Sequence, residues 1–337
     1  MKKLINNPLE VVEDTIAGIM KAYPEHFKFA KDSRRAIIWR DAPIKDKVSI
    51  VTGGGSGHIP VFLGYVGPGL ADGVAIGNVF SSPSSDAIYA ATKEVSGGKG
   101  VLYLFGNYAG DSMSFDMARE LADLDGIPVE IAKVCDDVAS APPDEAHRRR
   151  GVAGLFFSYK LVGAKAAQGA CLEEVKATAD KVIGNTRSMG VALSPCTVPA
   201  AGKPTFSLGE DEMEIGMGIH GEPGVERAKI KPADEVAEIL VKRIISDLPF
   251  RRDDEVAVLV NGLGATPPEE LFIIYSKVYD ILLDYGISVY RPYIGEYATS
   301  MEMAGCSVSL LRLDGEMKAL LDAPAFSPFL LQWGYCE

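Results

Sequence analysis

Residues 48–60 read VSIVTGGGSGHIP: a short β-branched run, then three consecutive glycines, a serine, a fourth glycine and a histidine. The β-branched residues favour an extended chain, and glycines placed directly after it allow a tight turn or a close approach to another group. A strand that ends in a glycine-rich loop is the first half of a βαβ unit. The pattern recurs at 101–105, where VLYLF leads into GNYAGDSMSF. Phe115, Ala118, Leu121, Ala122 and Leu124 then follow at helical spacing over 115–124, Gly126 stops the helix, and VEIAKV at 129–134 is a strand again. Strands alternating with helices predict a parallel sheet, whose ligands sit beyond the carboxyl ends of the strands. Both glycine-bearing loops fall there.

A further unit lies downstream. VAVLVN at 256–261 is a strand and GLGATPP a loop, and a helix is predicted from 267. Thr266 is placed to cap it, with Pro267 at its first position and Glu269 completing a capping box. Leu271, Ile274, Tyr275, Val278, Ile281, Leu282 and Tyr285 form its apolar stripe, and Gly286 ends it. ISVYR at 287–291 and VSLLRL at 308–313 are the last strands, and LPFRRDDE at 248–255 is a polar link. Residues 184–224 are rich in Gly and Pro without helical period and read as strands and turns. That change of texture, after a helix at 171–182, sets a domain boundary: an N-terminal domain over 1–183 and a C-terminal one over 184–337.

The chain of 337 residues is 47% hydrophobic and 24% charged, an ordinary globular composition that excludes a disordered chain, a collagen and a coiled coil. Its net charge of −12 argues against nucleic-acid binding. The one basic cluster, Arg148, Arg149 and Arg150, reads as a solvated turn. No apolar run reaches a membrane span, and Glu10, Glu13 and Asp14 interrupt any signal-peptide core. Cys135, Cys171, Cys196, Cys306 and Cys336 are odd in number and widely spaced, which reads as reduced, mostly buried thiols in a cytoplasmic protein.

Three segments carry chemistry. In Gly53-Gly54-Gly55-Ser56-Gly57-His58 the glycines alone require only a turn, but an imidazole inside such a loop can donate, accept or act as base. No GxxxxGK[ST] occurs, so nothing marks a nucleotide site. In Gly106-Asn107-Tyr108-Ala109-Gly110-Asp111 the aspartate is either a helix N-cap or a carboxylate at the open end of the sheet, able to take a hydroxyl proton. In Met217-Gly218-Ile219-His220-Gly221-Glu222-Pro223-Gly224 the glycines leave the His220 ring accessible. Glu222, two residues on, shares its face in an extended strand and can hold one imidazole tautomer. Neutral imidazole is a nucleophile toward a carbonyl carbon. His26 and His147 have no such setting and read as surface residues. Nothing has metal-ligand spacing, so no metal is expected.

Together these segments resemble the dihydroxyacetone kinase family, in particular its sugar-binding K subunit. The likeness runs through MKKLINNP, GGGSGH, GNYAGD, RRRGVAG, SPCTVPAAGKPTF, MGIHGEPG, NGLGATPPEEL and LDAPAFSPFLLQWG, nearly the whole chain. The resemblance implies two α/β domains, an N-terminal three-layer α/β/α domain with a parallel sheet and a smaller C-terminal mixed-sheet domain, with the pocket built by loops from both. It implies that His220 bonds covalently to the substrate ketone as a hemiaminal. His58 is then an acid–base and hydrogen-bonding group, and Asp111 activates the hydroxyl that receives the phosphoryl group. Gly55, Ser56, Gly57, Gly106 and Ser82 are the further substrate contacts, with Glu222 in support. The nucleotide, ADP or ATP with magnesium, belongs on a separate L subunit. The ultimate donor expected is phosphoenolpyruvate through a phosphotransferase-system protein, and the family forms homodimers.

Two departures from the family pattern matter. Gly106 stands where many members have Lys, and Ile59 where many have Glu. A roomier, less polar pocket would suit a larger ketose such as erythrulose, or a paralogue that senses the ketose as a coactivator without being a kinase subunit.

Overall fold

The computed structural model describes residues 2–333; Cys336 lies outside the described residues. The chain forms two compact units, each discontinuous in sequence. The N-terminal unit comprises Lys2–Val134, Leu155–Val182 and the described residues from Met317 onward. The second comprises Cys135–Gly154 and Ile183–Glu316. A single division into 1–183 and 184–337 therefore does not describe the units, because the chain leaves the N-terminal unit and returns to it twice.

In the N-terminal unit, β1 (Phe27–Ala30), β2 (Ser33–Trp39), β3 (Ser49–Ser56), β4 (Gly73–Val79), β5 (Val101–Gly106) and β6 (Val129–Val134) form one sheet. Its order is β1-β2-β4-β3-β5-β6. The four strands β4, β3, β5 and β6 are parallel, as the alternation of strand and helix requires, but β1 and β2 add an antiparallel edge. The helices are α1 (Val11–Ala22), α2 (Ser85–Val95), α3 (Ala109–Leu124), α4 (Leu155–Ala167) and α5 (Leu172–Gly184). Alternation along a strand sends neighbouring side chains to opposite faces. The Ser49 hydroxyl reaches the Val95 carbonyl at the end of α2, while Thr52, of opposite parity, meets the Tyr159 hydroxyl of α4 at 2.7 Å. Helices thus cover both faces, giving three layers. Helix α4 is buried almost all round. The tail joins this unit through Ser327, whose hydroxyl donates to the Gly64 carbonyl, and through Lys160 Nζ on the Leu320 carbonyl at 2.8 Å.

The second unit holds β7 (Thr186–Ser194), β8 (Thr197–Val198), β9 (Lys203–Pro204), β10 (Glu212–Ile215), β11 (Glu226–Lys229), β12 (Glu255–Gly262), β13 (Ser288–Gly295) and β14 (Ala304–Leu313). Its main sheet has the order β11-β10-β7-β14-β12-β13, mixed because only β12 and β13 run parallel. Helices α6 (Ala233–Asp247) and α7 (Pro268–Asp284) bury Leu240, Ile244, Leu271, Val278 and Leu282 against Val256, Val258, Val260, Val308 and Leu310 of the sheet. Helix α8 (Gly315–Asp322) follows β14.

Residues 135–154 belong with this unit for a physical reason. The Asp136 carbonyl accepts from Ser188 N and Val138 N donates to the Ser188 carbonyl, so the segment pairs with β7. The buried Asp136 carboxylate accepts from Val152 N and Gly154 N, each at 2.9 Å, and from the Ser188 hydroxyl. The arginine cluster departs from its expected solvated turn. Arg148 is exposed, but Arg149 is fully buried, forking onto Asp247 through Nη1 at 2.8 Å and Nη2 at 2.5 Å and donating Nε to the Ala141 carbonyl. Arg187 adds a second cation to Asp247 at 2.6 Å. A guanidinium leaves water only when its fork is satisfied, which spacing along one chain does not reveal.

Helix α7 also departs from expectation. It begins at Pro268, and Pro267 holds the N-cap position without a side-chain cap. The Thr266 hydroxyl is used elsewhere: it donates to the Gly305 carbonyl and accepts the Gly305 N–H, each at 2.8 Å. His147 is exposed, but His26 is half-buried with its ring stacked on Trp39. Among the described cysteines Cys196 and Cys306 are buried, Cys135 is intermediate and Cys171 is exposed. No described helix is long and apolar enough to cross a membrane.

Candidate functional site

In the N-terminal unit the candidate groups gather at the carboxyl end of β3. Gly53, Gly54 and Gly55 are strand, not loop: Gly54 pairs with Ile76 and Ser56 with Val79. Their lack of side chains has a packing reason. A Cβ on Gly54 would stand 2.1 Å from the Phe62 ring, and one on Gly55 would stand 2.7 Å from the Ser81 amide nitrogen. These glycines admit Phe62 and the turn after β4. The reversal falls at Gly57, whose φ of +102° favours glycine. Ser56 Oγ donates to the Gly77 carbonyl at 2.9 Å.

His58 is fully buried. Its ring stacks on Phe80 with centroids 4.9 Å apart and meets the Phe62 ring edge-on at 6.3 Å. Phe80 itself has φ +57°, an unusual conformation for a bulky residue, and its amide donates to the Ser56 carbonyl at 3.0 Å. Backbone strain of this kind persists where the surroundings over-determine it. Ser82 lies against the first turn of α3: a Cβ on Gly110 would be 2.6 Å from its Oγ. Gly106, the buried end of β5, accepts the Tyr108 amide at 2.9 Å.

Helix α3 starts six residues earlier than its apolar spacing suggested, so Asp111 is not an N-cap. Tyr108 holds that position, and Asp111 sits inside the first turn, 8% exposed, where the helix dipole favours a carboxylate. Burial pushes the Tyr159 phenol up; the Thr52 hydroxyl opposes this and the Asp111 carboxylate adds to it.

In the second unit, residues 217–224 form a tight turn instead of the expected strand. Gly218 N donates to the Glu222 carbonyl and Gly221 N to the Gly218 carbonyl, each at 3.0 Å. The turn brings together the two side chains expected to share one strand face. Glu222 Oε1 lies 2.8 Å from His220 Nδ1, and Glu222 Oε2 accepts the His220 amide at 2.9 Å. Burial raises the Glu222 carboxyl, but the hydrogen bond and charge of His220, with Arg150 behind, outweigh it and hold the group down at about 2. An ionised carboxylate only accepts, so Nδ1 donates, and a neutral ring then carries its lone pair on Nε2.

Sequence reading missed Arg150 here. It is largely buried, gives Nε to Asp137 Oδ2 at 2.9 Å and Nη2 to the Gly216 carbonyl at 3.1 Å. The available signal was the pair Asp136-Asp137 upstream of three arginines. Of the expected site residues, His58, Asp111, Ser82 and Gly106 with the Gly55–Gly57 stretch lie in the N-terminal unit, and His220 with Glu222 in the second.

The chain has similar counterparts among known proteins. Residues 17–329 match the Dak1 domain, and the chain belongs to the dihydroxyacetone kinase family. It is 46% identical over 98% of its length, and 99% of the relative's, to the dihydroxyacetone-binding subunit of PTS-dependent dihydroxyacetone kinase 2 of Listeria innocua. It is 40% identical to the L-erythrulose kinase of Pectobacterium atrosepticum, covering 97% of this chain and 56% of that one. Among solved structures, the dihydroxyacetone kinase operon co-activator aligns at a TM-score of 0.86 and 31% identity, over 93% of this chain and 96% of that one.

Proposed function

We propose that the chain is the ketose-binding subunit of a phosphotransferase-system-dependent dihydroxyacetone kinase. The observation that carries the reading is the Glu222 carboxylate 2.8 Å from Nδ1 of His220, which leaves Nε2 as the nucleophilic nitrogen. Nε2 adds to the ketone carbon, the carbon–oxygen π pair moves to oxygen, that oxygen gains a proton and the ring loses the one on Nδ1. The product is a neutral hemiaminal. A covalent histidine accepts carbonyl compounds and refuses polyols such as glycerol, which lack an electrophilic carbon.

Held in this way, the substrate keeps one hydroxyl in place for in-line attack, so positioning does much of the catalysis. Asp111 takes the hydroxyl proton as the oxygen attacks phosphorus, and His58 serves the carbonyl oxygen as hydrogen-bonding and acid–base group. Ser56, Gly57, Ser82, Gly55 and Gly106 complete the substrate contacts in this reading. The phosphoryl group comes from nucleotide with magnesium on a separate L-type subunit, recharged by a phosphotransferase-system protein. The chain works as a homodimer in the cytoplasm.

A second reading, a kinase subunit for erythrulose, draws support from the L-erythrulose kinase likeness and from Gly106, which places no side chain at the end of β5. The likeness to the operon co-activator supports a third, a ketose sensor; a buried carboxylate at Asp111 argues against it, because sensing needs no hydroxyl activation.

Reconstitution with a nucleotide-bearing L subunit and its phosphoryl donor tests the proposal. Phosphorylation of dihydroxyacetone is expected, with Asp111→Asn abolishing turnover while leaving the covalent adduct. Turnover with erythrulose alone selects the second reading, and an adduct without turnover of either ketose selects the third.

A further inference from the structure

Behind Glu222 lies a second pair of charges that the catalytic reading does not use. Asp137 is almost fully buried and pairs with Arg150 at 2.8 Å, and the backbones of the two residues also bond, Asp137 N donating to the Arg150 carbonyl at 3.1 Å. The Arg150 amide is held in turn by Ser140 Oγ at 3.0 Å. The guanidinium is therefore anchored from its own side and aimed at the 217–224 turn, where Nη2 meets the Gly216 carbonyl.

Its remaining nitrogen, Nη1, lies near Glu222 across Gly218, with no hydrogen bond between the two. A Cβ built on Gly218 would stand 2.5 Å from Arg150 Nη1 and 2.1 Å from Glu222 Oε2, so cation and carboxylate occupy the same small space above a bare stretch of backbone. The order of groups is carboxylate, guanidinium, carboxylate, imidazole, with charge alternating from Asp137 to Glu222. A carboxylate placed alone beside a histidine can rotate, or share itself between the ring and water. A cation fixed beside it by a buried partner biases it toward one orientation through charge.

We propose that Arg150 is a positioning residue for the nucleophile: seated by Asp137 and admitted by Gly218, it fixes Glu222 so that His220 carries its proton on Nδ1 and its lone pair on Nε2. The proposal rests on His220 being the nucleophile. It assigns no contact of Arg150 with substrate.

The test is the tautomer of His220, read from nitrogen-15 shifts of the full chain labelled at histidine, without ligand. The wild type is expected to show one tautomer, protonated on Nδ1. Arg150→Met is expected to show a mixture and to form the dihydroxyacetone adduct about tenfold more slowly, the scale of loss for an outer partner of a functional histidine. Arg150→Lys, which keeps the charge, is expected to restore most of both. A wild-type tautomer in folded Arg150→Met would overturn the proposal. Where Arg150→Met does not fold, Asp137→Asn carries the test, because it removes the charge that seats Arg150 and leaves Glu222 untouched. A mixed tautomer supports the seat and an unchanged one overturns it. The ligand-free spectrum also separates this proposal from the functional one. A single wild-type tautomer that Arg150→Met scrambles, in a protein that forms no adduct, supports control of the His220 tautomer by Arg150 and rejects His220 as the nucleophile.

Discussion

The imidazole of His58 lies on the ring of Phe80 with centroids 4.9 Å apart and planes at 23°, and Phe80 reaches that place with φ +57°. Strain in the backbone and orientation of the histidine are therefore one feature. Phe80→Gly relieves the first and abolishes the second. The stack, the partial burial of the ring and the stiffness of a non-glycine residue are all lost, so the relieved left-handed strain of about 1–2 kcal/mol offsets only part of the cost. Phe80→Gly is expected to unfold several degrees below wild type, with turnover per folded molecule in the reconstituted kinase down about tenfold if His58 is the acid–base group of the proposed reading. A large loss of stability with normal turnover per folded molecule would reject this role for Phe80.

Arg149 is expected to be a stability residue. Arg149→Met removes the fork on Asp247 and the donor to the Ala141 carbonyl while Arg187 still faces Asp247, so it should cost about 1–3 kcal/mol in denaturant unfolding. Burial raises the Asp247 carboxyl, but Arg149 and Arg187 outweigh it and hold the group below its ordinary 3.8. A depressed carboxyl stabilises the fold above its unfolded value and loses that contribution as pH falls through the folded one. Part of the acid destabilisation below about pH 4 should thus disappear in Asp247→Asn, which urea midpoints at several pH values would reveal.

Thr266 gives a local test. Its hydroxyl is the partner of both Gly305 N–H and Gly305 C=O, so Thr266→Val removes two buried bonds at nearly constant volume. A loss of about 1–3 kcal/mol is expected, whereas Thr266→Ser should retain most of the stability. Had Thr266 been a helix cap, the loss would be about 1 kcal/mol and confined to α7.

Glu222 sets the charge beside His220, the nucleophile of the proposed reading. Held at about 2, it stays ionised from mildly acid to alkaline conditions, and its contribution to stability is complete above 4.5 and lost only as pH falls through about 2. The pH profile of adduct formation should therefore contain no titration of Glu222 near its ordinary value. Glu222→Gln, which can offer an N–H to Nδ1 and invert the tautomer, should slow adduct formation about 10- to 100-fold.

Much of this was legible in the residues. Alternating strands and helices around Val48–Val51 and 101–105 required a parallel core, and the α7 stripe buries at Leu271, Ile274, Val278, Ile281 and Leu282. Most of what remained hidden was long-range. The antiparallel pairing of β1 and β2 had a local mark that the sequence reading passed over, the two-residue link Lys31-Asp32, which is too short for a parallel crossover. The glycines at 53–55 look like a ligand loop because nothing nearby announces Phe62 and Ser81, which occupy the vacated space. Arg149 looks solvated because its partner Asp247 is 98 residues away, whereas Asp137, the partner of Arg150, lies 13 residues upstream. His220 and Glu222 met as expected, but through a turn, since two residues' spacing serves a strand and a glycine-flanked turn alike.

The covalent role of His220 is best tested by native mass spectrometry of the intact chain with dihydroxyacetone, erythrulose, glyceraldehyde and glycerol, beside His220→Ala. A covalent adduct with dihydroxyacetone, absent with glycerol and absent in His220→Ala, is the expected result. No adduct with any of the carbonyl compounds, or an adduct that persists in His220→Ala, would contradict the assignment of His220 as the nucleophile.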